Sequence, residues 1–534
     1  MKSKVTLRDI AERVGVSTAT VSQALSGKGR MADTTRARIL QVVEELAYQP
    51  DQYAQNLARR NSTQAGGKRL RRTRGRNTPP PGLMAFYDLP QILEVLRLEL
   101  QQRDEEGYAT NGYREQLESL GKPSKQALYR LYGELMSAPL RPDFDYDEPE
   151  ALTEIRRARP DGPRTTPVVT TSNALYERIY GAWLGRIAGS VLGKPLQMGW
   201  PKSKVVRYLE LADSYPLTNY VPRVVCPPSG FELKPESSGA FLGEIHGAPC
   251  TNDTDFTLLA LRTLETYGLD FETTDVATVW LTHLPYFGIH TAERAVYRNL
   301  VWNVHPEQAA AFVNPQREYA GARTRADLFG YISPGKPELA AALAYKDAAL
   351  SHTKNGVYAA MFMAAMLAWT FVTDDLTEIV RVGLSEIPRK CRLSEAINAV
   401  VEAYETEEDG SRDHNWELAY ERLLLDYGAY SPLHTLNNTV WVVLALLYGA
   451  GDLDRTLGLA VACGMDTGSN AANAGSVMGL LHSRAQIPVQ WIAPLEDTLC
   501  TALAHCPTSR ISELARRTAV IAEEIVTNGS PATG

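Results

Sequence analysis

The stretch GAWLGRIAGSVLG, residues 181–193, carries a glycine at every fourth position. Residues four apart lie on one face of a helix, so these glycines form a stripe that lacks side chains. A second helix backbone can pack closely against such a stripe. The neighbouring residues are mainly apolar, and the segment therefore predicts a tightly packed pair of helices in the core.

Apolar helical patterns recur through the rest of the chain. They cover residues 174–193, 254–267, 275–284, 338–350, 356–371, 436–449, 456–463 and 469–482. Amphipathic patterns also run through residues 83–160, whereas alternating β-branched runs are scarce. The predicted fold class of the body is all-α, a bundle with its longest apolar helices at the centre.

Residues 356–372 are the segment nearest to a membrane span. They are apolar for most of their length but lie at the lower length limit, and Thr373-Asp374-Asp375 follows at once. A buried central helix is the better interpretation, so we expect no membrane association. Six cysteines without a CxxC pair, and a first segment without the apolar core of a signal peptide, favour a cytoplasmic protein with reduced thiols.

Charge divides the chain into two parts of opposite sign. Residues 1–76 contain 16 Lys and Arg against 6 Asp and Glu, a net charge of +10, whereas the remainder carries −17. A basic module on an acidic body is typical of a polyanion-binding head on a soluble core. The basic run at residues 68–76, followed by three prolines, is interpreted as an unstructured linker.

The amino-terminal pattern predicts a helix, a turn and a second helix. Apolar residues recur at helical spacing up to Val14, Gly15 interrupts the pattern, and Ser17 is a good N-cap for the helix that follows. A third helix is predicted at residues 33–46. Three short helices around a small core match a geometry that places the second helix in the DNA major groove.

The segments VSTATVSQAL (16–25) and ARILQVVEELAYQP (37–50) closely resemble the LacI-type repressor headpiece. The resemblance implies that Thr18, Ala19 and Gln23 read base edges, and that Thr20 and Ser22 touch phosphates.

Residues 53–60 resemble the hinge helix of the same family. The resemblance implies that Leu57, flanked by Ala58 and Arg59, wedges into the minor groove. Because such a hinge orders only as a pair, the implied partner is double-stranded DNA with a near-palindromic operator, bound by a homodimer.

Two clusters of oxygen-bearing residues open apolar helices in the body. They are TNDTD at residues 251–255 and GMDTGSN at residues 464–470. Hard cations such as Mg²⁺ prefer such oxygen ligands, but helix N-caps use the same residue types. For either cluster alone, capping stays open as the alternative.

Residues 174–510 resemble the ADP-ribosylglycohydrolase family, through LGKP after the glycine stripe, RTRADLFGYISPGKP and HTLNNTVWVVLALLYG. The resemblance implies an all-α fold with a pair of Mg²⁺ ions that bind a ribose and activate a water. The implied metal ligands are Thr251, Asn252, Asp253, Asp466 and Ser469. Asp253 and Asp466 are also the implied catalytic residues, and the implied ligand-binding residues are His352, Asn355, Gly356 and Asn470. For His352, a structural capping role remains an equal alternative.

Three positions depart from the family pattern. Asn252 and Gly468 stand where the family has Asp, and Ser190 replaces an acidic residue found in other branches. Of four carboxylates that would offset two divalent ions, only Asp253 and Asp466 remain. Asp255, two residues further along its helix, should point elsewhere. We expect one Mg²⁺ ion or none, with slow or absent hydrolysis.

Together these observations predict five segments. They are a LacI-type domain with hinge helix at residues 1–62, a basic, proline-rich linker at 63–82, a helical extension at 83–165, an ADP-ribosylglycohydrolase-like domain at 166–527 and a disordered tail at 528–534. The main hypothesis is a DNA-binding regulator whose body senses a ribosyl or nucleotide-type ligand. The alternatives are an active Mg²⁺-dependent glycohydrolase that also binds DNA, and an architectural DNA-binding protein.

Overall fold

A computed structural model describes residues 13–16, 21, 33–45, 87–121, 123–406 and 415–528. The chain divides into two compact units, Met1–Gly75 and Arg76–Gly534. In the first unit, helix α1 (Asp33–Glu45) buries Ile39 and Val42, in agreement with the third helix predicted there.

The described part of the second unit is helical except for one two-stranded antiparallel sheet. Its helices are α2 (Leu89–Glu105), α3 (Tyr113–Ser119), α4 (Lys125–Met136), α5 (Leu152–Ala158), α6 (Ser172–Gly193), α7 (Lys202–Leu211), α8 (Asn252–Tyr267), α9 (Thr273–His283), α10 (Thr291–Val301), α11 (Pro306–Ala309), α12 (Gly321–Arg325), α13 (Asp327–Tyr331), α14 (Pro337–Ala348), α15 (Lys354–Thr370), α16 (Leu376–Leu384), α17 (Arg392–Thr406), α18 (Trp416–Tyr427), α19 (Thr435–Gly449), α20 (Leu453–Ala462), α21 (Thr467–Gln486), α22 (Val489–Ile492) and α23 (Ile511–Asn528). The strands are β1 (Thr498–Cys500) and β2 (Thr508–Arg510).

The all-α prediction is confirmed, and each of the apolar helices predicted in the body is present with ends shifted by a few residues. The interpretation of residues 356–372 as a buried central helix is also confirmed, because α15 is buried from Asn355 to Thr370. Surface helices such as α7, α17 and α23 were not predicted individually, since they bury only one stripe and mix it with charged residues. No helix in the described ranges is both long and apolar enough to cross a membrane.

Helices α6 and α21 pack antiparallel along the glycine stripe, in the most extensive helix contact of the body. A Cβ atom added to Gly185 would lie 2.1 Å from the carbonyl oxygen of Gly475, and one added to Gly475 would lie 2.1 Å from that of Gly185. The close packing predicted from residues 181–193 is therefore confirmed. The antiparallel arrangement places the N-terminus of α21 at the C-terminal end of α6, where Thr467 Oγ1 donates to Gly193 O at 2.7 Å.

The helical extension is held to the body by buried charges. Arg317 donates to the carboxylates of Glu99 at 2.9 Å and Glu106 at 2.8 Å. Glu99 lies within α2, and Glu106 directly follows it. All three side chains are buried. A buried arginine between two carboxylates fixes the geometry of this junction, since removing either partner leaves an uncompensated charge.

Replacing Gly185 by Val should destabilise the protein by about 3 kcal/mol, because the side chain has no space between α6 and the backbone of α21. Chemical denaturation measures the difference. Gly288→Ala is the control, since its Cβ would meet its nearest neighbours at 3.7 and 3.9 Å, which is ordinary contact. An unchanged midpoint for Gly185→Val would contradict this account of the core.

Candidate functional site

The two oxygen clusters, far apart in the chain, lie together at the C-terminal end of α6. Ser469 Oγ donates to Asp253 Oδ1 at 3.0 Å, and Ser190 Oγ donates to Asp253 Oδ2 at 3.1 Å. Ser190 Oγ is also 3.1 Å from Thr251 Oγ1. We call Ser190, Thr251, Asp253, Asp466 and Ser469 the carboxylate site. Helices α8 and α21 both begin here, and their N-terminal partial charges favour anions.

The capping alternative holds for one cluster only. Thr251 Oγ1 accepts from the Thr254 N–H at 3.4 Å and so caps α8. Asp466 occupies the N-cap position of α21, but its side chain makes no capping hydrogen bond. Its carboxylate faces other side chains instead.

Asp466 is buried among polar groups. Its Oδ1 accepts from Gln197 Nε2 at 2.5 Å, and its backbone N–H donates to Asn438 Oδ1 at 3.1 Å. Burial, followed by the negative charge of Asp253, raises the pKa of Asp466 to about 6. The two carboxylates are thus close enough to repel each other.

Gln197 fills the space next to Gly468. A Cβ atom at residue 468 would lie 2.6 Å from Gln197 Oε1 and 2.9 Å from its Cδ. A neutral amide therefore lies beside Asp466, at the place toward which a side chain at 468 would point. No pattern in the sequence predicts this position of Gln197.

Two cations lie near the carboxylate site. Lys194 Nζ donates to Cys250 O at 2.8 Å, and Arg323 Nη2 donates to Asn470 Oδ1 at 2.7 Å. Burial lowers the pKa of both, to about 10 for Arg323, while the charge of Asp253 opposes that shift in each case. Arg323 consequently stays protonated at neutral pH and faces the two carboxylates as a permanent positive charge.

A buried ion pair holds the backbone of the carboxylate site in place. Arg186 is fully buried and pairs with the carboxylate of Asp327, while its Nη2 donates to Asp253 O at 2.6 Å. Asn473 Nδ2 donates to the other oxygen of Asp327 at 2.7 Å. The backbone of Asp253 is thereby fixed through charged hydrogen bonds, which are stronger than neutral ones.

Two further residues of the first oxygen cluster, Asn252 and Asp255, lie outside the carboxylate site. Asn252 is the first residue of α8 and is half-buried. Asp255 accepts from the Ala502 N–H at 3.2 Å and from the Cys250 thiol at 3.5 Å, so it points toward the chain after β1, as expected from its helical position. In the described part of the chain, no three His, Cys, Asp or Glu side chains converge as metal ligands would.

Three predicted ligand-binding residues lie at the start of α15 among other partners. Asn355 Nδ2 donates to Glu148 at 2.7 Å and to Glu318 at 2.9 Å. His352 is buried against Ser351 at 2.8 Å, and burial lowers its pKa well below the ordinary value. A Cβ on Gly356 would lie 2.6 Å from a backbone carbonyl oxygen. Asn470, in contrast, lies beside the carboxylate site.

The predicted DNA-contacting residues lie outside the described residues. They are Thr18, Ala19, Thr20, Ser22, Gln23, Leu57, Ala58 and Arg59.

Comparison with known families covers both parts of the chain. Residues 171–530, more than half of the chain, match the family model described as ADP-ribosylglycohydrolase. The chain belongs to the ADP-ribosylglycohydrolase family. Residues 6–51 match the model described as bacterial regulatory proteins, lacI family, so the chain begins with a LacI-family helix-turn-helix domain. Both resemblances inferred from the sequence are confirmed.

Several curated transcription regulators are similar to this chain over a short stretch. The HTH-type transcriptional regulator AscG of Escherichia coli (strain K12) is 43% identical over 61 residues, 11% of this chain and 18% of that protein. The sucrose operon repressor of Klebsiella pneumoniae is 49% identical over 61 residues, again 11% and 18%. The chain thus spans about a fifth of the length of these relatives.

A solved structure described as an ADP-ribosylglycohydrolase-related protein complex is among the structures similar to this chain. It is 17% identical with a TM-score of 0.43, over 66% of this chain and 99% of that chain.

Sequence reasoning missed Gln197, Lys194, Arg323 and Asn438 at this site of the ADP-ribosylglycohydrolase domain. Lys194, Arg323 and Asn438 lie within segments that carry the family resemblance, so their position was a signal. Gln197 lies outside those segments, and neither spacing nor charge distinguishes its neutral amide from a surface amide.

Replacing Arg186 by Met should destabilise the protein by roughly 3–5 kcal/mol, because the Asp327 carboxylate would stay buried without its cation. The double variant Arg186→Met, Asp327→Leu should recover most of that loss. Denaturant unfolding of the two single variants and the double variant measures the coupling. If the losses in unfolding free energy of the two single variants add up in the double variant, Arg186 and Asp327 are not energetically coupled, which would contradict this account.

Proposed function

We propose that this protein is a transcription regulator in which the ADP-ribosylglycohydrolase domain binds a ribosyl or nucleotide-type ligand. The LacI-type domain binds double-stranded DNA at a near-palindromic operator, as a homodimer. Ligand binding then changes the affinity of the dimer for its operator. The LacI-family match supports the DNA-binding role, and the chemistry of the carboxylate site supports the sensing role.

The charge balance of the carboxylate site is the observation that carries this proposal. Two Mg²⁺ ions would bring four positive charges to two carboxylates that already face Arg323, with Lys194 nearby. The neutral Gln197 lies where an additional carboxylate at position 468 would be needed. We infer that these residues do not fit a matched pair of Mg²⁺ ions, and we assign no hydrolytic step to the site.

The same groups suit a ligand rich in hydroxyls. A ribose can donate O–H hydrogen bonds to Asp253 and Asp466, and such charge-assisted bonds are about twice as strong as neutral ones. Gln197 offers both a donor and an acceptor for a further hydroxyl. Binding of this kind needs a few well-placed polar groups and no metal.

The ligand acts on DNA affinity through differential binding. A ligand that prefers one geometry of the dimer shifts the population toward that geometry. The change in the free-energy difference between the two geometries equals the difference between the ligand's binding free energies for them.

ADP-ribose should weaken the complex of the full-length protein with an operator selected from random duplexes, by roughly 5-fold or more in Kd. Fluorescence anisotropy measures the Kd with and without EDTA, and chromatography checks whether ADP-ribose is consumed. We expect the same response in EDTA and no turnover.

Asp466→Ala should abolish this response while leaving the Kd for DNA alone unchanged, because Asp466 lies in the carboxylate site. Asp374→Ala, an exposed acidic residue after α15, is the matched control. Mg²⁺-dependent consumption of ADP-ribose that Asp466→Ala removes would instead establish the active glycohydrolase.

Restoring carboxylates should create metal affinity. The variant Asn252→Asp, Gly468→Asp, Gln197→Ala should bind Mn²⁺ at least roughly 10-fold more tightly than the original protein, because it adds two anionic ligands and removes the side chain that would clash with the one at 468. Isothermal titration calorimetry measures binding. In the control variant Gly468→Asn, Gln197→Ala, the space beside residue 468 is the same, but the new side chain is neutral. Tight binding of two ions by the original protein would contradict the proposed charge balance.

A further inference from the structure

Helices α2, α3 and α4 pack around an apolar core of their own. The buried side chains of this core are those of Ile92, Leu96, Leu100, Leu117, Leu128, Leu131, Tyr132 and Leu135, together with Val313 from the body. The apolar core of the body forms a separate cluster. We call the described residues between 87 and 138 the α2 module. Because shared apolar burial is what normally joins two parts of a domain, the α2 module is a separately packed unit.

The contact between the α2 module and the body is mainly polar. Gln102 Nε2 donates to Glu318 Oε2 at 2.7 Å, and a carboxylate oxygen of Glu106 lies 3.6 Å from Lys354 Nζ. Arg317 also pairs with Glu106 at 2.8 Å. Charged groups lose hydration when they form buried pairs, so separating them regains part of that free energy. Such a contact can open with little exposure of apolar surface, in contrast to two halves of one apolar core.

Some buried polar atoms at this contact are left without a hydrogen bond. Glu318 lies at its centre, because its carboxylate also accepts from Arg392 Nη2 at 2.8 Å and its carbonyl oxygen accepts from the Thr435 N–H at 2.9 Å. The buried atoms around it that have no hydrogen-bond partner among the described residues include Gln102 Oε1, Arg392 Nη1, His434 Nε2 and Thr435 Oγ1. A buried polar atom without a partner costs free energy. The docked arrangement is therefore less stable than a fully bonded contact would be.

Two body residues at the same contact have a left-handed backbone. Val313, whose side chain enters the core of the α2 module, has a φ of 44°, and Lys354, which faces Glu106, has a φ of 43°. A left-handed backbone is uncommon for residues other than glycine, and for a β-branched residue it is strained. Such residues persist only where the surrounding contacts hold them. Opening of the contact releases both residues from the groups that hold them.

One turn of helix α19 links this contact to the carboxylate site. His434 lies at the N-cap of α19, and its Nε2 is 3.6 Å from a carboxylate oxygen of Glu105 on α2. Four residues further along, Asn438 Nδ2 donates to His434 O at 2.8 Å. Asn438 Oδ1 accepts from the Asp466 N–H at 3.1 Å and from Asn470 Nδ2 at 2.9 Å. The first turn of α19 thus contacts α2 at one end and the carboxylate site at the other.

We propose that the α2 module opens from the body when a ligand binds the carboxylate site, and that the first turn of α19 connects the two events. The inference rests on the proposed function and describes the regulation of its site. A ligand that bonds to Asp466 shifts the start of α21, and Asn438 transmits the shift to His434 and so to Glu105. The unpaired atoms and the strained backbone reduce the difference in affinity that a ligand needs to open the contact. In the chain, the α2 module comes between the LacI-type domain and the rest of the body.

Hydrogen–deuterium exchange of the full-length protein, read by mass spectrometry without ligand, tests the connection. The Asn355 N–H donates to Glu318 Oε1 at 3.0 Å, so its exchange reports on the contact. Asn438→Ala should raise the exchange rate of the peptide that contains Asn355 at least roughly 5-fold relative to residues 360–368 of α15. The control Asn473→Ala removes another fully buried amide, on α21, and should leave that ratio unchanged.

Isothermal titration calorimetry with ADP-ribose tests the coupling from the other direction. The variant Gln102→Ala, Glu105→Ala removes two α2 side chains from the contact but keeps the ion pairs of Arg317. It should lower the Kd for ADP-ribose at least roughly 5-fold, because a coupling between two equilibria acts equally in both directions. The control Glu94→Ala, Arg97→Ala changes two exposed residues of α2 and should leave this Kd unchanged.

Either of two results would overturn the proposal. One is an exchange ratio for the Asn355 peptide that Asn438→Ala leaves unchanged. The other is ADP-ribose binding with the same Kd to the original protein and to the variant Gln102→Ala, Glu105→Ala. An original protein that binds no ADP-ribose would contradict the proposed function, and the exchange ratio would still decide whether α19 connects the α2 module to the carboxylate site.

Discussion

The close packing of α6 on α21 is the constraint on which the rest of the structure depends. Because glycine faces backbone along this contact, the two helices run antiparallel at a separation that no larger side chain permits. That arrangement brings the start of α21 to the end of α6, where α8 also begins. Two acidic motifs more than two hundred residues apart thereby form one site. The site is assembled by a contact between two helix backbones, in which the side chains of the site take no part.

The chemistry of the site follows from its charge. Asp253 and Asp466 are close enough to repel each other. The positive charge of Arg323 acts on both carboxylates without a direct contact, and the amide of Gln197 donates to Asp466. We propose that these groups take the place of a matched pair of divalent ions. In the proposed function, the ADP-ribosylglycohydrolase domain keeps the family fold and binds a ligand, and the LacI-type domain on the same chain converts that binding into a change in DNA affinity.

Much of the fold could be predicted from the sequence, because periodic patterns are local. The glycine spacing of residues 181–193 indicated close packing, but not that α21 would be the partner. The resemblance to a family brought Thr251, Asp253 and Ser469 to one site, where the structure has them. It also implied Asn355 as a ligand-binding residue, and the structure pairs that side chain with Glu148 and Glu318. Gln197 could not be predicted, since its role depends on the space beside Gly468, which only the folded structure reveals.

The central claim is that the carboxylate site binds a ribosyl ligand without a metal pair. A crystal structure of the protein grown with ADP-ribose and Mn²⁺, measured at the manganese absorption edge, tests it most directly. The account predicts ligand density between Asp253 and Asp466, Gln197 still beside Gly468, and no pair of anomalous peaks. Two strong manganese peaks bridged by these carboxylates would contradict it.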